Sequence, residues 1–565
     1  MRTDGYLPIE DYAIVGDGRT SALVGRDGSV DWLCLPDGDS PPVLDRLLDA
    51  DRGGCFELAP VEPYEVVRRY RAGTNVLETT FTTASGSVRV TDAMTRGDER
   101  ARQLVRVVDG RSGAVALTWR FEPRQDFGRA RLSDDVRLHP WDAGDGAPTV
   151  REGERVTFAV RHGGGTPSRD DVERALERTS AGWMDWSGGL RYDGPWREQV
   201  VRSALCLKLL QYEPTGAILA APTTSLPERI GGDLNWDYRF SWLRDGIYTM
   251  RALLFLGCGA EAEAFFRWSV RAVADSAPEL HPLYRLDGSP IDAEEEVDVP
   301  GYRGSRPVRV GNAAAGQLQL DNYGHLLESA SRLHGSGRVF EPEVAAELAR
   351  VADETAAGWR DADAGIWELR GQGRHFVQSK AMCWTALDRA ASLGEAGALP
   401  DRSARWREEA AAVREWIESD GWSDRARSYR RAAGSDEVDG SLLSLALCAY
   451  SDADEERFRS TVAAVVGELG AGGPLLYRMP ESRTWGEGAF LACSFWLVDA
   501  LGRAGRVDEG HALMARLVEL ANDVGLYSEE LDPETGAFLG NFPQALTHLA
   551  LVNAAVSLAG VEEPA

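Results

Sequence analysis

Asn235-Trp236-Asp237-Tyr238-Arg239-Phe240-Ser241-Trp242-Leu243-Arg244-Asp245 fits neither a helical nor a strand period, yet Ile247, Tyr248, Met250, Leu253 and Leu254 just behind it recur as on one face of a helix. The segment therefore reads as a loop that runs into a helix N-terminus. Its flat Trp and Tyr faces stand beside Arg and Asp side chains. Such a mixture suits a sugar, whose ring stacks on aromatic surfaces while its hydroxyls need charged donors and acceptors. A buried aromatic cluster with structural ion pairs would contain the same residue types.

The same transition from long polar loop to apolar helix recurs outward from this stretch. From Pro195 the period stays helical, with candidate helices at 197–212, 246–258, 260–276, 317–334, 343–360, 380–394, 403–419, 440–450, 454–469, 489–504, 507–522 and 544–559. Connections alternate between short ones, such as Gly257-Cys258-Gly259 and Gly502-Arg503-Ala504-Gly505, and long ones rich in Trp, Tyr, Arg, Asp and Glu. If antiparallel helices close into a ring, all long loops fall at one end, which describes an (α/α)6 barrel with a site built from those loops. An open solenoid is the alternative, but its repeats would resemble one another and these do not.

Before residue 165 the pattern is different. Ser21–Gly25, Ser29–Cys34, Asn75–Phe81, Ser87–Thr91, Leu104–Val108, Ala116–Phe121 and Val156–Val160 alternate apolar and polar residues between turn residues. That spacing predicts an N-terminal antiparallel β-sandwich. The expected organisation is a β-module over 1–165, a Trp-bearing connector over 166–194 and the helical barrel over 195–565.

Composition excludes several classes. The 565 residues carry a net charge of −27, which opposes binding to nucleic acid or to an anionic membrane surface. No apolar run approaches the roughly 18 residues of a membrane span, and the start at Met1 lacks the pattern of an export signal, so the cytoplasm is the expected location. Seven scattered cysteines with no CxxC, and eight dispersed histidines, indicate neither a disulfide framework nor a metal centre. No cofactor is expected, and oligomeric state, including a homo-oligomer, stays open.

Two long loops hold carboxylates in unusual company. Gly365-Ile366-Trp367-Glu368-Leu369-Arg370 puts Glu368 between a Trp and an Arg, and Ser528-Glu529-Glu530-Leu531-Asp532 leads into Gly540-Asn541-Phe542-Pro543-Gln544 before the last helix. Glycoside hydrolysis needs one carboxylic acid to protonate the leaving oxygen and one carboxylate to drive water or attack the anomeric carbon. An acidic chain also carries many loop Glu residues without such a role. These motifs, with Trp242-Leu243-Arg244-Asp245, resemble the signatures of glycoside hydrolase family 15, which contains glucoamylases, glucodextranases and bacterial trehalases. Ile9-Glu10-Asp11-Tyr12 through Asp17-Gly18-Arg19-Thr20, with Gly28-Ser29-Val30-Asp31-Trp32, resembles the trehalase-like N-terminal domain of its bacterial members.

The resemblance implies an inverting, exo-acting hydrolase that releases β-glucose from an α-glucoside, either a small molecule or an oligosaccharide. It matches Glu368 to the general acid, Glu529 to the general base, and Arg244 and Asp245 to the pair that grips the terminal glucose. Trp242 and Trp367 would form the walls, and Trp236, Asp237, Tyr302, Arg303 and Asn312 are further candidates around the mouth. A Trp-lined pocket would keep the acid protonated, while polar groups near Tyr527 would keep the base ionised. A different glycoside on this scaffold, or a non-catalytic glucan-binding or regulatory protein, are the alternatives; retention of both Glu residues argues against the latter.

Overall fold

The computed structural model describes residues 2–98, 100–143, 147–291, 293–448, 450–451 and 455–560. Asp292, Ala449 and Asp454, which belong to an acidic run and to the helices expected over 440–450 and 454–469, lie outside the described residues.

Twelve strands form the N-terminal module: β1 (Tyr12–Gly16), β2 (Ser21–Gly25), β3 (Val30–Cys34), β4 (Pro42–Leu44), β5 (Cys55–Pro60), β6 (Tyr64–Tyr70), β7 (Leu77–Thr83), β8 (Gly86–Met94), β9 (Arg102–Glu122), β10 (Val136–Trp141), β11 (Thr149–Arg151) and β12 (Arg155–His162). All pairings are antiparallel, and they run through one sheet in the order β1-β2-β3-β5-β9-β8-β7-β6. The spine is β9, 21 residues long. Its first half pairs with β8 and β12, and its second half with β5 and β11. The first half is buried on both faces and the second alternates buried with open positions, as expected where a sheet is covered on both sides and then on one. Bending along β9 brings β1, β2 and β5 to face β7 and β8. The two layers anticipated as a sandwich are thus halves of one curled sheet, a half-barrel.

The connector is itself a helix, α1 (Arg169–Gly188), started by a capping box between Ser168 and Asp171. It lies on the sheet through Val172, Leu176 and Trp183; Arg96 stacks on the Trp183 ring at 4.4 Å and Thr157 donates to Glu173. Its apolar face is thin and its charges many, so hydrophobic periodicity alone does not reveal it.

The helical module consists of α2 (Arg197–Leu210), α3 (Gly246–Phe255), α4 (Gly259–Ser276), α5 (Asp321–Gly335), α6 (Pro342–Gly358), α7 (Val377–Glu395), α8 (Ser403–Ser419), a 3-10 segment Gly440–Leu445, α9 (Glu456–Leu469), the single turn α10 (Ser482–Trp485), α11 (Leu491–Arg503), α12 (Val507–Val518) and α13 (Ala545–Leu558). In the inner ring α3 packs on α5, α5 on α7, α7 on 440–445, that segment on α11, α11 on α13, and α13 back on α3. The outer helices α4, α6, α8, α9 and α12 each follow their inner partner, and α2 packs on α13 to complete the sixth pair. This is the (α/α)6 barrel. Nearly every residue of α11 and α13 is buried, which is why these helices are apolar all round rather than striped. The helix expected over 440–450 is 3-10 over 440–445, where the Ser441 and Ser444 hydroxyls bond to Asp439 and to the Ser441 carbonyl, offering the turn local partners. Every long loop precedes an inner helix, so the loops 211–245, 277–320, 359–376, 420–439, 470–490 and 519–544 gather at one end. No helix among the described residues is long and apolar enough to cross a membrane.

Candidate active site

At that end lies a cavity, and four of the six loops meet at it: Tyr238, Trp242, Arg244 and Asp245 from the first, Trp367 and Glu368 from the third, Arg478 and Phe490 from the fifth, Glu529 and Gln544 from the sixth. Tyr248 and Trp496 form its floor from α3 and α11.

Glu368 sits at the tip of a tight turn, with its amide bonded to the Gly365 carbonyl and its backbone in the left-handed region at φ 55°. A non-glycine residue there costs on the order of 1–3 kcal/mol, a strain that concentrates at functional sites. The turn aims its carboxylate at Trp242 and Arg244. The Trp242 indole N–H donates to Oε1 at 2.7 Å, and Arg244 Nη1 donates to the same oxygen at 3.0 Å and to the Ile366 carbonyl at 2.7 Å. Trp367 next to it is fixed by a 2.9 Å bond from its indole to Asp439 and by edge contact with Phe490. Asp245 stands at the N-cap of α3, with its Oδ1 3.7 Å from Arg244 Nε; burial raises its carboxyl, and Arg244 counteracts this.

Glu529 is 1% exposed and accepts a 2.7 Å bond at Oε1 from the Tyr238 hydroxyl, while Oε2 has no hydrogen-bond partner among the described residues. Burial pushes its carboxyl up to about 7, with the Tyr238 bond and Arg478 pulling the other way. The expected placement near Tyr527 is corrected: the Tyr527 hydroxyl donates to the Val518 carbonyl, and the partner of Glu529 is Tyr238. The carboxylate has room because Gly540, at φ 69°, lies against it; a Cβ there would stand 2.4 Å from Oε2. Its neighbour Glu530 points away, as alternation along extended backbone requires, and accepts from the Gly488 amide.

Behind Glu529, the carboxylates of Glu228, Glu487 and Glu530 lie within 4.8 Å of one another. Arg478 is their counter-charge, bonded to Glu228 at 2.6 Å and to Glu487 at 2.9 Å. Burial pushes Glu228 and Glu530 well above the usual carboxylate range. Glu487 spends both oxygens on Arg478.

Six of the anticipated residues, Glu368, Glu529, Arg244, Asp245, Trp242 and Trp367, line one cavity. The other five do not, and each has a structural reason. Asp237 is fully buried and forks onto Arg239 at 2.6 Å. Asn312 caps the turn at Ala314 and bonds the Asp237 carbonyl. Tyr302 donates to the Leu7 carbonyl in the β-module, and Arg303 beside it is exposed. Trp236 is sandwiched between the guanidinium groups of Arg309 and Arg370, 4.5 Å from each, and donates to Glu228. Tyr238, Tyr248, Arg478, Phe490, Trp496 and Gln544 were not anticipated. Tyr238 lies inside the quoted aromatic stretch, where alternation with Trp242 was the available signal; Arg478 and Trp496 carry no local one.

Residues 194–556 match the model of glycosyl hydrolases family 15, and residues 2–164 match the trehalase-like N-terminal domain. The chain is a family 15 glycosyl hydrolase. Over 99% of its length this hydrolase is 38% identical to a trehalase of Mycolicibacterium smegmatis, covering 92% of that protein. It is 33% identical to a trehalase of Thermoplasma acidophilum over 95% of its own length and 98% of the relative's. A bacterial glucoamylase crystallised with acarbose shares the fold at TM-score 0.68 and 13% identity, across 98% of the hydrolase and 94% of the glucoamylase. The hydrolase is thus an α-glucoside hydrolase of the trehalase/glucoamylase type.

Proposed function

We propose that the substrate is trehalose and that Glu368 and Glu529 act on it as general acid and general base with inversion. The observation that carries this reading is that the two carboxylates line one cavity from separate loops, each on its own aromatic donor. The Tyr238 and Trp242 rings meet edge to face at 5.4 Å, and each donates to a different one, Tyr238 to Glu529 and Trp242 to Glu368. Inversion places a water between the base and the anomeric carbon, so the two carboxyl groups are expected to stand roughly 6.5–9.5 Å apart. Near-complete coverage of the named trehalases at 38% identity supports the substrate.

In this mechanism Arg244 and Asp245 take the hydroxyls of the glucose at the blind end, and Trp367 and Trp242 flank its ring. Glu368 gives its proton to the glycosidic oxygen, with Trp242 and Arg244 orienting Oε1. Glu529 Oε2, with no hydrogen-bond partner among the described residues, takes a proton from the attacking water. Tyr238 keeps the base oriented and stabilises its charged form. Each cleavage by inversion releases one β-glucose and one α-glucose. Proton NMR of the nascent products from trehalose tests this: equal α and β signals are expected, and α alone would refute inversion. Maltose and isomaltose cleaved faster than trehalose would refute the substrate.

A further inference from the structure

We infer that the β-module is part of the catalytic frame, and that Arg68 and Asn522 are positioning residues that set the loop carrying Glu529. The inference rests on the assignment of Glu529 as base. Glu529 sits on a loop whose two legs both touch the N-terminal module, while its own carboxylate and amide hydrogen-bond to Tyr238 and Asn541.

On the entering leg, Asn522 Nδ2 donates to the carbonyls of Glu10 and Tyr12 at 3.1 and 2.8 Å, while its Oδ1 accepts from the Val524 and Leu526 amides. One side chain thus folds the turn 522–526 and ties it to β1. The adjacent Asp523 receives a forked pair from Arg68 of β6, Nε at 3.0 Å and Nη2 at 2.6 Å. The Arg68 side chain is fully buried, and its remaining nitrogen donates to the Asp11 carbonyl at 2.5 Å. On the returning leg, the Phe538 amide donates to the Glu10 carboxylate. Glu529 lies between these anchors, three residues beyond Leu526.

The partner of Glu529 is held from the same side. Trp32 of β3 donates to the Pro222 carbonyl at 2.7 Å, and Arg239 donates to the Ser40 carbonyl, which together fix the loop bearing Tyr238. The 2.7 Å bond between Tyr238 and Glu529 therefore joins two loops whose separation is set by one external scaffold. A buried, forked arginine is costly to place and specifies one geometry, and displacing a catalytic group by about 1 Å can cost about 100-fold in rate.

The test uses the full chain. Arg68→Gln and Asn522→Ala are expected to lower kcat on trehalose by about 10- to 100-fold with KM within about twofold, because the sugar grip of Arg244 and Asp245 is untouched. The acid limb of the pH profile is expected to move below its wild-type position as Glu529 leaves its buried site, and Arg68→Lys is expected to recover part of kcat. If Arg68→Gln does not fold, Asn522→Ala at its half-buried position carries the same readouts. Lowered melting temperature with unchanged kcat and pH profile would overturn the inference. A Glu529→Gln enzyme assayed alongside separates the two claims: if it keeps near-normal turnover the base assignment fails, and if it is inactive while the Arg68 and Asn522 variants are normal only the scaffold role fails.

Discussion

Replacing Glu529 with Gln should abolish turnover and, above neutral pH, stabilise the protein. In the folded state burial raises this carboxyl from the usual 4.5 to about 7. Between those values the folded chain holds a proton that the unfolded chain has released, so stability falls as pH rises through the window. At about 1.4 kcal/mol per pH unit the loss at pH 8 is about 3 kcal/mol. Gln is neutral at every pH, keeps an acceptor for Tyr238 and fits the same space. The variant should therefore gain up to about 3 kcal/mol at pH 8 and nothing at pH 4. With an unfolding entropy near 2.1 cal/mol/K per residue, that gain is about 2–3 °C in Tm for a chain of this length. Differential scanning fluorimetry of both proteins from pH 4 to 8 measures it, and trehalose turnover of the same samples should fall by several orders of magnitude. A variant that is less stable than wild type at pH 8, or whose gain does not vary with pH, would show that Glu529 is ionised at no cost and that the argument from burial is wrong.

Tyr238→Phe removes the donor that favours ionised Glu529, so the acid limb of kcat/KM should move to higher pH and kcat should fall by about 10-fold; an unmoved limb would dissociate Tyr238 from the base. Gly540→Ala should abolish activity while leaving most of the fold, since its methyl would collide with the Glu529 carboxylate, and normal kinetics would refute the assigned position of that group. Arg244→Ala should raise KM and lower kcat together, by about 1.5–3 kcal/mol in kcat/KM, with little change in Tm. Limited proteolysis should cut first between Gly164 and Ser168, the open link before α1; cleavage inside α1 at a comparable rate would count against a 1–165 module followed by a packed connector.

The ring was legible because short and long connections alternate, a pattern that any closed circle of helical pairs must leave in the sequence. Glu368, Glu529, Arg244 and Asp245 were legible through local motifs. What escaped was set by contacts distant in sequence. Trp236 sits in the same stretch as Trp242, yet its side chain turns to the Arg309–Arg370 pair. No neighbour in sequence announces that turn. Arg478 enters the cavity from the fifth loop, and its role follows only from the three carboxylates gathered around it. The environment of Glu529 was misjudged for the same reason: polarity of the adjacent residues says little about a carboxyl whose surroundings come from four loops.

Because α2 packs on α13 and α13 also contacts α3, the barrel has a seam between its first and last helices. A ribosome delivers this chain from the amino end, and α13 is made after every other member of the ring. Until it emerges, α2 and α3 have an open flank, and the segment bearing Glu529 has only just been synthesised. The nascent protein is accordingly expected to stay inert until α13 has emerged. A stop codon between Glu529 and Ala545 would leave an open ring with apolar flanks for chaperones and proteases to capture, although both carboxylates had already been made.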